Sequence, residues 1–173
     1  TYTATDSSGN SSSLERTVHV ISLGYIPAVK YVRLEGRGKY MYFNEVQVYD
    51  SNNKNVAYTG TATQVSDYFS TLGAVNLIDG NRDGSNDYHG NHTKSHPGET
   101  WWEVVLPRAF DIYEARLYIT YNLNQGTNNG TLFQLLDANR VLLYEYDIGT
   151  HGSPEYNAIV HNVGKEQYLL IPL

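Results

Sequence analysis

The chain has 173 residues, with 12 Lys and Arg against 18 Asp and Glu, for a formal charge of −6 at pH 7. At 40% hydrophobic and 17% charged it has enough apolar surface for a core and too little charge for a disordered chain or a coiled coil. The acidic balance disfavours nucleic acid and anionic membrane as partners, no apolar run reaches the roughly 18 residues of a spanning helix, and the absence of Cys excludes disulfides, thiol nucleophiles and Cys-bound zinc.

The first twenty or so residues read as a separate piece. Tyr2–Thr5 and Thr17–Ile21 alternate as strands around a polar turn, Asp6-Ser7-Ser8-Gly9-Asn10. A hairpin of that size is marginal alone in water. Its string, TYTATDSSGNSSSLERTVHVI, resembles the closing hairpin of hyalin-repeat and bacterial immunoglobulin-like domains. The resemblance implies that residues 1–21 end such a domain, with the rest of it before residue 1, and that 22–28, containing Pro27, form a linker.

Further along, apolar residues nowhere recur at i, i+3, i+4 and i+7 for three turns, so no helix is expected. Short alternating runs take their place. Val32 and Leu34 share a face in Lys30–Glu35, and Val46 and Val48 share one in Glu45–Tyr49, with Glu45 on the other side. Trp102, Val104 and Leu106 form a third such row, and Ala115, Leu117, Ile119 and Tyr121 a fourth. Further strands are expected near Leu132–Leu136, Val141–Ile148, Asn157–His161 and Tyr168–Leu173, with Asn- and Asp-rich turns between them. This pattern predicts an all-β chain built as an antiparallel sandwich.

The densest polar stretch runs from Asn76 to Thr93, and its two Asp-Gly turns, at Asp79-Gly80 and Asp83-Gly84, force a winding loop rich in hard oxygens. Calcium takes six to eight such oxygens in irregular geometry. Composition alone leaves two readings open, a calcium loop and a solvated loop of Asx turns. His89, His92 and His96 fall in or beside this segment but fit no zinc spacing. Alternation places Trp102 in the core rather than on a sugar-stacking face. With no evident nucleophile–base pair and no G-x-S-x-G elbow, the chain is not expected to be an enzyme.

Four strings, VKYVRLEGRGKYMYFNEVQVYD, NVAYTGTATQVS, AVNLIDGNRDGSNDYHGNHT and WWEVVL with FDIYEARLYITYN, follow one another in an order familiar from one superfamily. Through them, residues 29–173 resemble a discoidin (coagulation-factor type C) domain, and within that superfamily most closely the F-type lectins, or fucolectins. The resemblance implies a jelly-roll β-sandwich of the galactose-binding-domain type, with a structural Ca2+ and a shallow sugar site on nearby loops. Matched residue by residue, the calcium ligands would be Glu45, the carbonyl of Asn44, Asn76, Asp79 and Asn81, with Asn91 in place of the family's Ser.

The fucose grip is not kept. Lys94 stands where the family has a His, and the loop 122–131 has none of the family's Arg. Lys94, His96, Asn122, Asn124 and Gln125 are nevertheless donor types that a neutral glycan needs. Sequons at Asn10, Asn91 and Asn129 suit a secreted glycoprotein. The expected function is therefore a calcium-stabilised, extracellular, lectin-like module for adhesion or recognition of a glycan or glycoprotein, at a cell or virion surface. The alternative is a structural domain of a surface fibre, appendage or virion coat that contacts neighbouring subunits.

Overall fold

Alternating apolar and polar residues suit a pleated surface with one face in the core, and runs of this kind carry most of the described chain. The computed structural model describes residues 2–14, 20–21, 24–82, 89–94, 99–119, 128–149, 159–161 and 169–170. Eleven strands follow in order: β1 (Tyr2–Thr5), β2 (Ser11–Leu14), β3 (Val20–Ile21), β4 (Ile26–Glu35), β5 (Phe43–Asp50), β6 (Thr61–Gln64), β7 (Trp101–Ile119), β8 (Leu132–Leu136), β9 (Leu142–Asp147), β10 (Ile159–His161) and β11 (Leu169–Leu170). Among the described residues the only helical pieces are two 3-10 turns, Ala57–Thr59 and Ala74–Ile78. The protein is all-β, and every strand pair among the described residues is antiparallel. No helix among these residues is long and apolar enough to cross a membrane.

β7 organises the sheet. Its first part, Trp101–Val105, lies between β4 and β6, while Ile112–Ile119 pairs with β5 and Ala115–Leu117 also pairs with β10. Beyond β4 the sheet continues to β8 and then β9. Sequence alternation had divided β7 into two strands, and the structure joins them into one of 19 residues. The break in alternation is local: Pro107, Arg108 and Ala109 are exposed where the β4–β7 register shifts, and the backbone continues through the irregularity. The core gathers Val32 and Leu34 from β4, Val46 and Val48 from β5, and Trp102, Val104, Leu106, Ala115 and Leu117 from β7. Phe133 and Leu135 of β8 complete it. Trp102 is wholly buried, as its alternation predicts, and its Nε1 donates to Ala74 O at 2.9 Å.

The N-terminal hairpin closes differently from expectation. β1 pairs with Ser11–Leu14, in the register Tyr2↔Leu14 to Thr5↔Ser11, rather than with Thr17–Ile21. The reason is the tightness of the turn. The Asp6 carboxylate accepts the Ser8 and Asn10 amides, each at 2.9 Å, and Gly9 takes the positive φ (+86°) that lets the chain reverse at once. Val20 and Ile21 pair instead with Leu170 and Leu169. Thr17–His19 lie outside the described residues.

Candidate functional site

The long polar loop folds back onto the start of β5. The 3-10 turn Ala74–Ile78 buries Leu77 and Ile78 and leaves Asn76 between two loop arms. Asn76 donates from Nδ2 to Thr71 O and to Gly90 O, both at 2.8 Å. Those bonds use both amide hydrogens, and its Oδ1 accepts none among the described residues. The turn ends at Asp79, and Gly80 follows with φ +87° and donates its amide to Glu45 Oε1 at 3.2 Å. Asp79 Oδ1 accepts the Asn81 amide at 2.8 Å, while the Asn81 side chain meets His89 Nδ1 at 3.0 Å.

Glu45 lies on the face of β5 opposite Val46 and Val48, as predicted, and is 0% exposed. Its Oε1 accepts from Gly80 and, at 3.4 Å, from Gln47 Nε2. Its Oε2 is buried with no hydrogen-bond partner among the described residues. Burial pushes the Glu45 carboxyl up to about 8, and the nearby charge of Asp79 adds to the rise, against the lowering pull of the Gln47 and Gly80 donors and of the Arg82 charge. An orphaned carboxylate oxygen beside a second carboxylate is costly in a protein interior unless a proton or a cation joins it.

The structure therefore brings Glu45, Asp79, Asn76 and Asn81 onto one turn-and-strand junction, with Asn44 buried beside Glu45. Asn91 reaches the same junction, but its side chain is occupied by protein. Its Oδ1 accepts the Phe43 amide and its Nδ2 donates to Gln64 Oε1, both at 3.0 Å. That Nδ2, the atom a glycan would take, belongs to a wholly buried residue. Gly90 permits the approach: at φ +96°, a Cβ there would overlap the Phe43 carbonyl oxygen. Among the described residues no three His, Asp or Glu side chains converge, so a cation at this junction would rely on amide and carbonyl oxygens beside two carboxylates.

Of the expected sugar contacts, Lys94 is exposed and its amide donates to Ser66 Oγ at 3.2 Å. His96, Asn122, Asn124 and Gln125 lie outside the described residues. Asn10 is exposed, with Nδ2 on Asp6 Oδ2 at 3.0 Å, and Asn129 is half-buried.

Next to Lys94 stands a feature that the sequence reading missed. The His92 ring stacks on Tyr68 (centroids 4.5 Å apart, 26° between planes) and on Tyr42 (5.0 Å, 23°), and Tyr40 tilts against it at 5.2 Å. Tyr68 meets Phe69 edge-on at 4.6 Å. Tyr68 and Phe69 are 51% and 55% exposed, so two of the five rings in this assembly face water. The available signal was Tyr68-Phe69 set among Ser66, Asp67, Ser70 and Thr71, two large rings in a loop with no alternation to bury them.

No protein-family model matches the chain, and no curated protein or solved structure matches it.

Proposed function

We propose that residues 29–173 form a non-catalytic, calcium-stabilised carbohydrate-binding module, a jelly-roll sandwich of the discoidin and F-type lectin kind that works outside the cell. The observation that carries this reading is Glu45 Oε2, buried and, among the described residues, unpartnered at the junction with Asp79 and the Gly80 turn. Glu45, Asp79, Asn76 Oδ1 and Asn81, with the Asn44 carbonyl, supply the hard oxygens that calcium prefers. Asn91 then serves through its backbone and its clamp on Phe43 rather than as a side-chain ligand. For the sugar, the exposed rings of Tyr68 and Phe69 offer an apolar face to ring C–H groups, and Lys94 offers a charged donor to hydroxyls.

The test is a thermal melt with CaCl2 and with EGTA, run beside a glycan array under both conditions. At 100 times its dissociation constant, an ion bound only by the folded state adds about 2.7 kcal/mol. Glu45→Gln should abolish that gain while the protein stays folded. A melt indifferent to EGTA would end the calcium assignment.

One observation favours the structural alternative, in which the domain contacts neighbouring subunits. Val141 and Leu142 are exposed at the start of β9, the last strand in the sheet order among the described residues, and two exposed apolar side chains there suit contact with another chain. Silence on every glycan, together with self-association relieved by Leu142→Lys, would support that reading.

A further inference from the structure

The turn that closes over Glu45 is tied through Asn76 to the floor of the aromatic face. Asn76 sits in the turn whose far end, Gly80, bonds Glu45, and its Nδ2 holds Gly90 O. The next residue, Asn91, donates its amide to Phe43 O at 3.0 Å, and its side chain spans Phe43 N and Gln64 Oε1. One residue further, the His92 amide donates to Leu72 O at 3.1 Å and its carbonyl accepts the Tyr68 amide at 2.8 Å. Thr93 closes the segment, exchanging two bonds with Met41. Hydrogen bonds joined by short stretches of backbone, 76–80 and 90–92, therefore link the Glu45 carboxylate to the ring stack of His92, Tyr42 and Tyr68.

From this continuity we infer that Asn91 is a positioning residue coupling cation occupancy at Glu45 to alignment of the aromatic face around His92. The inference rests on the calcium reading above. A cation that draws the Gly80 turn onto Glu45 also fixes Asn76, and through Gly90 and Asn91 it fixes the height and tilt of His92 beneath Tyr68. By linkage, anything that stacks on the face tightens the cation by the same factor as the cation tightens it, and such couplings are typically about 5- to 150-fold. Asn91 suits the relay because its one side chain holds both β5, at the Phe43 amide, and Gln64, the last residue of β6.

The test follows the His92 ring resonances by NMR in the full chain as CaCl2 is added after EGTA, with calorimetry reporting ion binding separately. In the wild type, the His92 resonances should shift with the same midpoint as the calorimetric titration. In Asn91→Ser, calcium should still bind while the His92 shift is lost. Gln64→Glu, which keeps an oxygen for Asn91 Nδ2 but loses the Gln64 bonds to Asp67 Oδ1 and Leu72 O, should keep the shift, whereas Gln64→Ala, which removes all three, should reduce it and keeps the test open if Asn91→Ser does not fold. Calcium binding with unmoved His92 resonances in the wild type, or a full shift in folded Asn91→Ser or Gln64→Ala, overturns the coupling. Absence of calcium binding in the wild type overturns the calcium reading itself, and the coupling with it.

Discussion

A carboxyl group sealed beneath a glycine turn is at odds with neutral water, and Glu45 shows how the fold accommodates it. Without calcium its folded value, about 8, lies above the ordinary 4.5, so folding takes up a proton between those limits. The stabilising contribution is full below 4.5 and is lost as pH rises towards 8. In EGTA, the unfolding free energy from a urea titration should therefore fall across that window by an amount on the order of a few kcal/mol. Glu45→Gln carries no such proton and should show a flatter profile, more stable than the wild type at pH 8. Saturating calcium should restore the wild type at pH 8, because the ion replaces the proton on the carboxylate. A wild-type profile as flat as that of the variant would show that the buried acid is already compensated.

At the scale of elements, β7 is the informative case. Its first row of inward residues was legible because Trp102, Val104 and Leu106 alternate cleanly. Its continuity was not, because Pro107 to Ala109 interrupt the period without ending the strand. The same row assigns Trp102 a packing role, with its indole nitrogen tethering the Ala74 turn. Trp102→Phe should cost roughly 1.5–3 kcal/mol in a denaturant titration, from lost volume and an unpaired Ala74 carbonyl. It should leave the exposed rings of Tyr68 and Phe69 in place. The hairpin was read with the right first strand and turn but the wrong second strand, since Ser11-Ser12-Ser13 has no apolar alternation to announce it. Only the Asp6 turn geometry selects it. For the site, the turn and the outward face of Glu45 could be read from spacing. The ring stack could not, because Tyr40, Tyr68 and His92 meet only after three separate segments have folded.

For the molecule as a whole, a second buried carboxylate shows the opposite arrangement to Glu45. Glu103 in β7 is 4% exposed and receives Arg140 through two bonds, at 2.8 and 3.0 Å, with Arg33 at 3.6 Å. Arg140 comes from the β8–β9 turn and lies over the Tyr31 ring at 4.3 Å, so one acid joins three parts of the sheet. Glu103→Gln should cost about 1–3 kcal/mol, softened because Arg140 is half exposed and can return to water. Double-mutant cycles with Arg140→Met would show whether the guanidinium carries that cost. The contrast between the two acids is chemical: the sheet supplies cations for Glu103, whereas Glu45 has an oxygen left over.

The length of β7 also has a consequence for biosynthesis. β4, β5 and β6 all pair with β7, which begins only at Trp101, and the other partner of β4 comes later still. As the polypeptide leaves the ribosome, β4, β5 and β6 emerge with their shared hydrogen-bonding partner still unmade. Such nascent edges are sticky and slow to resolve, so production should depend on chaperones, or on a slow pause, until the nineteen-residue strand is clear of the exit tunnel.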